Sequence, residues 1–259
     1  HKLISKSVLQ TAALTYKDYR ALVAAKRWKD ASSVNDDLLA NLSSIAHVNN
    51  SFNIHKPFFD AVGELEKVLG FYLNDAHVRE ALKVNDHRWQ SGDIPYNMLA
   101  SDEEKSAIKL LPHVMSRVPV LLYTGDLDVV CNYLGVAAYA NFEIHWPGQV
   151  PFQRAFSQPW IIPAPMAGIR SAASVERWLR NSRSYVHPKL MIRFTEDDMT
   201  MKANDVAAIE QAGQAVGGFF KSSDGLTMLV VAEAGHRNSF DQPGTIEHLV
   251  YSFSHGLFP

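Results

Sequence analysis

Residues 118–126 read Val-Pro-Val-Leu-Leu-Tyr-Thr-Gly-Asp, and this stretch decides the fold class. Its first six residues are apolar without alternation, which is typical of a strand that is covered by helices on both faces. The Thr-Gly-Asp that follows ends the run with turn-forming residues. The stretch therefore predicts a buried strand that delivers an acidic loop at its carboxyl end.

A second run of the same kind covers residues 226–232, between Asp224-Gly225 and Gly235. Helical patterns follow both runs, over residues 134–140 and 244–256. Strands that alternate with helices predict an α/β fold, here a central, mostly parallel sheet flanked by helices. By contrast, Gly217-Gly218 is expected to form a hinge or turn.

The first half of the chain has a helical period instead. Apolar residues recur at steps of three and four between Val8 and Val23, and a second helical patch spans 38–45. A helix pair is predicted over residues 58–84, divided at Gly70 and Asn74. Ser101-Asp-Glu-Glu104 has the pattern of a capping box, which predicts a helix that begins there and continues through residue 111. Residues 141–200 are poorly periodic, and we expect loops and short helices there.

Composition limits the function classes. The formal net charge is −2 with 20% charged residues, so no basic field is available to attract nucleic acid or anionic lipid. No run approaches the roughly 18 apolar residues of a membrane span. We therefore expect a soluble protein with no nucleic-acid partner. The sequence begins with His1 rather than Met, so we expect a processed or trimmed product whose signal peptide, if it had one, is gone.

The sequence leaves the cellular compartment open. The only cysteine, Cys131, cannot form an internal disulfide, which usually indicates a reducing compartment. Asn41 and Asn49 nevertheless lie in Asn-x-Ser acceptor patterns, which would be glycosylated in the secretory pathway. The histidines show no metal-ligand spacing, so neither a metal site nor a cofactor is predicted.

The residues that could carry chemistry follow the two predicted strands. Asp128 follows the first and His236 follows the second, and the loops beyond strand ends are where functional residues gather in α/β sheets. An acid followed by a histidine is the chain order of α/β-hydrolases, in which the acid orients the imidazole. On spacing alone, a turn aspartate and a structural histidine remain the favoured interpretation.

Several longer strings resemble one family, the serine carboxypeptidases. Residues 120–135 contain Gly-Asp-Leu-Asp-Val-Val-Cys-Asn, which is similar to the family's Gly-Asp-x-Asp-x-x-Cys-Asn segment. Residues 234–243 are similar to the segment Gly-His-Met-Val-Pro-x-Asp-x-Pro at its glycine, histidine, aspartate and proline. Further upstream, Tyr72-Leu73-Asn74 and Asn53-Ile54 resemble two other landmarks in family order.

The resemblance implies the C-terminal half of an α/β-hydrolase. Residues 1–57 would be a helical cap or insertion, and residues 58–259 the C-terminal part of the core. The triad aspartate would be Asp128 and the triad histidine His236, with Cys131, Asn132 and Gly235 beside them. The implied substrate is a peptide or an acyl compound, and the implied compartment is the secretory pathway, the lysosome or vacuole, or the extracellular space.

The chain also departs from the family pattern. It contains no Gly-x-Ser-x-Gly, so we expect the nucleophilic serine on an N-terminal chain of the same precursor, in a heterodimer. Arg237 replaces a methionine, and a cation there would lower the pKa of the histidine unless it faces outward. The disulfide cysteines usual in the family are absent from this half. A catalytically inactive subunit with a structural or interaction role is therefore the alternative.

Overall fold

The computed structural model describes residues 5–56, 61–90, 92–166, 208–209 and 211–258. The chain forms two compact units, of which the first comprises His1–Asn50 and Lys56–Ser106 and the second comprises Ser51–His55 and Ala107–Pro259. Most of the predicted irregular region, residues 167–200, lies outside the described residues. The sequence predicts a boundary after residue 57, between a helical cap or insertion and the C-terminal part of the core. That boundary stays a prediction.

The first unit is helical, as its apolar period predicts. Its elements are α1 (Lys6–Ala24), α2 (Trp28–Ile45), α3 (Ala61–Leu73), α4 (Ala76–Ala81) and α5 (Asp93–Glu103). The Ser5 hydroxyl caps α1 and the Asp75 carboxylate caps α4, each by accepting from backbone N–H groups of the first turn. Helix α1 packs on α2, and α2 packs on α5.

Two helix boundaries differ from the prediction. Gly70 lies inside α3, and the break falls at Asn74, whose side chain accepts from the Trp89 N–H and donates to two backbone carbonyls. The prediction that a capping box begins a helix at residue 101 is wrong, because residue 101 lies in the last turn of α5. The Glu104 carboxylate accepts a 2.6 Å hydrogen bond from the Tyr19 hydroxyl, so it is engaged elsewhere.

The second unit holds the sheet. Its elements are a 3-10 turn (Ile108–Leu110), α6 (Leu111–Met115), β1 (Val120–Gly125), α7 (Tyr133–Phe142), α8 (Gln149–Arg154), β2 (Gln158–Pro163), a 3-10 turn (Ala164–Met166), β3 (Gln214–Ser223), β4 (Leu226–Val231), α9 (Asn238–Asp241) and α10 (Pro243–Ser254). The described strands have the order β1-β4-β3-β2. The α/β class predicted from the sequence is confirmed.

The described part of the sheet is mixed rather than mostly parallel. Strands β1 and β4 are parallel, whereas β3 is antiparallel to both β4 and β2. The cause is the Asp224-Gly225 turn, whose φ values of 44° and 84° are those of a tight hairpin between β3 and β4. Gly217 and Gly218, expected in a turn, instead lie within β3.

Two apolar layers cover the sheet, one on each face. Successive side chains of a strand point to opposite faces, so Met228 and Val230 join a cluster with Phe152 of α8. Their neighbours Leu229 and Val231 join a second cluster with Leu249 of α10. Strand β4 is buried over its whole length, as its unbroken apolar run predicts.

Strand β1 differs from β4, although both have unbroken apolar runs. Its residues 120–122 are only partly buried, and Tyr123 is exposed. Among the described strands β1 pairs only with β4, so the N–H and C=O groups on its other edge have no strand partner among them. No helix within the described residues combines the length and the apolarity needed to cross a bilayer.

Candidate active site

The acidic loop begins where β1 ends and carries Asp128. This residue is 4% exposed, and its Oδ1 accepts from the backbone N–H of Val130 at 2.8 Å and of Cys131 at 3.1 Å. The Asn132 side chain then caps α7 by accepting from the Gly135 N–H. The loop is therefore a tight turn that holds the carboxylate by one oxygen and leaves Oδ2 available.

The histidine loop begins where the parallel neighbour, β4, ends. Backbone hydrogen bonds join the two loops: Asp126 donates its N–H to Val231, and Leu127 donates its N–H to Ala234. The strands are so close that a Cβ added at Gly125 would collide with the Ala234 carbonyl. Glycine is needed here for this close approach, which brings His236 beside the acidic loop.

A short segment, Ser51–His55, holds both loops from outside the sheet. The Ser51 carbonyl accepts from Val129, and the Phe52 carbonyl accepts from the His236 N–H at 2.7 Å. The Phe52 ring lies against the imidazole with a centroid separation of 5.1 Å. The segment thus supports the backbone and the ring of His236 together.

A second support comes from Asp241 of α9. Its Oδ2 accepts from the Gly235 N–H at 2.7 Å and from Asn53 Nδ2 at 2.9 Å. The side chain of Asn238 is buried, and its Nδ2 donates to the Gly235 carbonyl at 2.9 Å. Gly235, expected beside the site, is consequently held by both of its backbone polar groups.

These supports place the two predicted residues in contact. Nδ1 of His236 lies 2.9 Å from Oδ2 of Asp128, and the side chains are 36% and 2% exposed. When Nδ1 carries the proton it donates to the carboxylate, and Nε2 is then the basic nitrogen. Within the described part of the chain, Nε2 has no hydrogen-bond partner. The contact between the acid and the histidine is thus confirmed.

Asp126 is a second acid at the site. Burial, and then the charge of Glu233, raise the pKa of Asp126 from 3.8 to about 8, although a hydrogen bond from the Ala234 N–H opposes the shift. The Glu233 carboxylate also lies 3.5 Å from Nδ1 of His55. At neutral pH Asp126 is therefore mainly protonated, and its Oδ1 joins the two loops by accepting from the Ala234 N–H.

Cys131 completes the group around the acid and the histidine. Its Sγ, the Asp128 carboxylate and a His236 nitrogen all lie within 4.8 Å of one another. Burial and the charge of Asp128 raise the pKa of the Cys131 thiol. A raised pKa disfavours the thiolate, so this environment does not activate Cys131 as a nucleophile.

The remaining predicted residues lie at the surface. Arg237 is exposed and has no ion-pair partner among the described residues, which supports the interpretation that its side chain faces outward. Asn41 is exposed within α2, and Asn49 is exposed in the following loop, so neither is shielded by the fold. Their glycosylation stays a prediction.

The supporting residues were visible in the sequence only as landmarks. Asn53 and Asp241 belong to strings that resemble family segments, but their spacing gave no sign that Asn53 donates to Asp241 or that Asp241 accepts from the Gly235 N–H. Phe52 carried no signal, because its contribution is a backbone carbonyl and a ring contact.

A model of the family described as serine carboxypeptidase matches residues 24–256. The chain belongs to the serine carboxypeptidase family. The resemblance seen in the sequence is therefore confirmed, and so is the assignment of this chain to a family of serine carboxypeptidase-like hydrolases.

Similar proteins of known family agree with this membership. Serine carboxypeptidase S10 family member 2 of Dictyostelium discoideum is 36% identical over 77 residues, which are 29% of this chain and 14% of that protein. Carboxypeptidase Y homolog A of Aspergillus oryzae is 34% identical over 112 residues, which are 41% and 20% of the two chains.

A prohormone-processing carboxypeptidase of Saccharomyces cerevisiae has a similar fold, with a TM-score of 0.59 at 18% identity. That match covers 98% of this chain and 49% of the yeast chain, so this serine carboxypeptidase-family chain spans about half the length of its structural relative.

Proposed function

We propose that this chain supplies the acid and the histidine of a Ser-Asp-His triad in a serine carboxypeptidase-like hydrolase. The observation that carries the proposal is the 2.9 Å contact between Asp128 Oδ2 and His236 Nδ1. A triad needs a histidine whose Nδ1 is held by a buried carboxylate and whose Nε2 is accessible, and His236 has both features.

The chemistry follows from this geometry. Nε2 of His236 accepts the proton of the attacking serine hydroxyl, and Asp128 stabilises the imidazolium that forms. The imidazolium then returns the proton to the leaving amine, which releases a C-terminal residue and leaves an acyl-enzyme. Water attacks the acyl-enzyme by the same proton transfers. Since both oxygens of Asp128 are engaged, the imidazole keeps one orientation throughout.

The nucleophile comes from polypeptide outside these 259 residues, and we propose an N-terminal chain of the same precursor. The edge of β1 that has no partner among the described strands supports this arrangement, because an edge with free N–H and C=O groups accepts a further strand. A strand added there would lie beside the strand whose carboxyl end bears the Asp128 loop.

The alternative of an inactive subunit rests on two grounds: the missing serine-bearing half, and Arg237-Asn238-Ser239 in place of the Met-Val-Pro of the family pattern. Asn238 supports the Gly235 carbonyl, so it contributes to the position of the histidine loop. Arg237 is exposed, so its guanidinium is in contact with solvent. These two positions therefore favour the active enzyme over the inactive subunit.

The proposal also includes a secretory, vacuolar or extracellular compartment for the protein.

The test is a fluorophosphonate probe, which reacts with activated serines, applied to the protein as it is isolated from its source. We expect a label on an associated N-terminal chain, and at least a hundredfold slower labelling for His236→Gln (estimated from triad variants). The exposed His113 provides the control, and His113→Gln should label at the original rate.

The site of labelling distinguishes the arrangements. If the labelled serine lies upstream on the same polypeptide, the proposal of a separate N-terminal chain is refuted and the proposal of a triad stands. If a serine-bearing segment is present and stays unlabelled, the inactive subunit is the better description.

A further inference from the structure

We propose that Asp128, Cys131 and His236 together form a binding site for a zinc-class divalent cation, at which the cation competes with the triad arrangement. The three residues offer a carboxylate oxygen, a thiol sulfur and an imidazole nitrogen, and these atoms all lie within 4.8 Å of one another. No other group of three such side chains this close occurs within the described residues.

The distances suit a tetrahedral ion after small movements. Zinc bonds of about 2.0 Å to nitrogen and oxygen and about 2.3 Å to sulfur place neighbouring ligand atoms roughly 3.3–3.8 Å apart. Asp128 Oδ2 and His236 Nδ1 are 2.9 Å apart, so they separate by less than about 1 Å. The sulfur lies at 4.8 Å or less from a carboxylate oxygen of Asp128 and from a ring nitrogen of His236, so it approaches by about 1 Å. Rotation of side chains supplies both movements.

The surrounding contacts fix the ligands as a metal site requires. Val130 and Cys131 donate their N–H groups to Oδ1 of Asp128, so Oδ2 stays directed at the site. The Thr124 hydroxyl donates to the Cys131 carbonyl at 2.7 Å and holds the backbone that carries the sulfur. These hydrogen bonds would survive the binding of an ion.

The donor set selects the kind of ion. A sulfur and an imidazole beside one carboxylate suit Zn²⁺, Co²⁺ or Cd²⁺, whereas Mg²⁺ and Ca²⁺ prefer oxygen alone. Cys131 is exposed and His236 is partly exposed, which leaves the fourth position of the ion to water.

Binding has a definite proton balance. The ion bonds to the sulfur, whose proton leaves to solvent, and to Nδ1 of His236, so the imidazole proton resides on Nε2. An Nε2 that carries a proton cannot accept one from a serine, so the bound ion would inhibit hydrolysis reversibly. This inhibition rests on the proposed function, whereas the binding does not.

Cobalt absorption tests the binding. Thiolate coordination to Co²⁺ gives an intense charge-transfer band, and Cys131 is the single cysteine of these 259 residues, so loss of the band in Cys131→Ser distinguishes this thiol from cysteines of any associated chain. We expect the band on titration of the protein with Co²⁺, its loss in Cys131→Ser, and about tenfold or weaker binding in Asp128→Asn and His236→Gln. His113→Gln, at an exposed helix position, should bind as the original protein does.

Zinc binding followed by ¹⁵N-histidine NMR provides the second measurement. The signal of His236 Nδ1 should shift with Zn²⁺ while the resonances of the other ten of the eleven histidines keep their positions. The proposal is overturned if no charge-transfer band forms, if the band is insensitive to Asp128→Asn and His236→Gln, or if Zn²⁺ shifts only other histidines.

Neither measurement requires a serine. Failure of the probe labelling would leave the metal site intact, and failure of metal binding would leave the triad intact. Circular dichroism of each variant establishes that it is folded, and Cys131→Ser changes an exposed side chain.

Discussion

Oδ2 of Asp128 lies 2.9 Å from Nδ1 of His236, although 108 positions separate the two residues in the sequence. Their loops follow parallel neighbours whose last residues, Gly125 and Val231, are in register. The contact is therefore a consequence of strand pairing, reinforced by the Ser51–His55 segment on one side and by Asp241 on the other.

Replacing Asp128 by asparagine tests the orientation of the imidazole. Asparagine keeps the volume and an acceptor for the turn, but its amide favours the wrong histidine tautomer, so kcat should fall by about four orders of magnitude. Steady-state kinetics of the serine-bearing assembly measure this effect. Asp224→Asn, in the hairpin turn at the opposite end of β4, is the matched control. An equal loss in both variants would contradict the assigned role.

Asp241→Ala tests the support of the histidine loop. The change leaves the Gly235 N–H and Asn53 Nδ2 without this acceptor, so the loop should loosen and kcat should fall by about a hundredfold through misplacement of His236. Hydrogen exchange at Gly235 should accelerate in parallel. The exposed neighbour Ser239 is the control, and Ser239→Ala should change neither quantity. Unchanged exchange at Gly235 would refute this role of Asp241.

Gly125→Ala tests the close approach of the two loops. Its Cβ would collide with the Ala234 carbonyl, and overpacking of this kind costs about 1–3 kcal/mol in the free energy of unfolding. Gly135→Ala in α7 is the control, because a Cβ there meets only ordinary contacts, 3.6 Å or more away. Denaturant unfolding of both variants makes the comparison. Equal stability of the two would show that the loops are farther apart than described.

Lys221→Met tests a buried charge beneath α8. Lys221 is 4% exposed, its Nζ donates to Asn141 Oδ1 at 2.7 Å, and it lies 4.3 Å from the centroid of the Phe152 ring. Burial lowers the pKa of Lys221 from 10.5 to about 8.

The sign of the effect follows from proton binding. Between pH 8 and 10.5 the unfolded chain binds more protons at Lys221 than the folded chain, so this residue makes the free energy of unfolding rise with pH. Over the whole interval its contribution is about 3 kcal/mol. Urea unfolding across pH 7–10 should give a difference between the original protein and Lys221→Met that varies with pH. A constant difference would contradict the buried charge.

Asp126→Asn tests the raised carboxyl pKa at the site. Because the folded pKa is about 8 and the ordinary value is 3.8, the folded state binds the extra proton, and the stability contributed by Asp126 is lost progressively as pH rises from 3.8 to about 8. Asparagine should reduce this decline, as measured by urea midpoints at pH 5 and pH 8. Glu247→Gln, at an exposed carboxyl of α10, should keep the original pH dependence. If Asp126→Asn keeps it too, the carboxyl is ionised in the folded protein.

Local patterns predicted part of the fold. The unbroken apolar runs at 120–123 and 226–231 formed strands, and the helical periods between residues 6 and 45 formed α1 and α2. The hinge or turn predicted at Gly217-Gly218 is wrong, because both glycines lie within β3. A Cβ on Gly218 would collide with the Val230 carbonyl, so this glycine serves strand packing, which no local pattern reveals.

Sequence alone determined the α/β class and the family, and it indicated the acid and the histidine proposed for the triad, since strand periodicity and short motifs are properties of neighbouring residues. The tertiary structure decided the contact of Asp128 with His236, the approach of Cys131 and the altered pKa values of Asp126 and Lys221. Those properties depend on distances and on exclusion of water by groups far apart in the chain, and only strand register and packing set them.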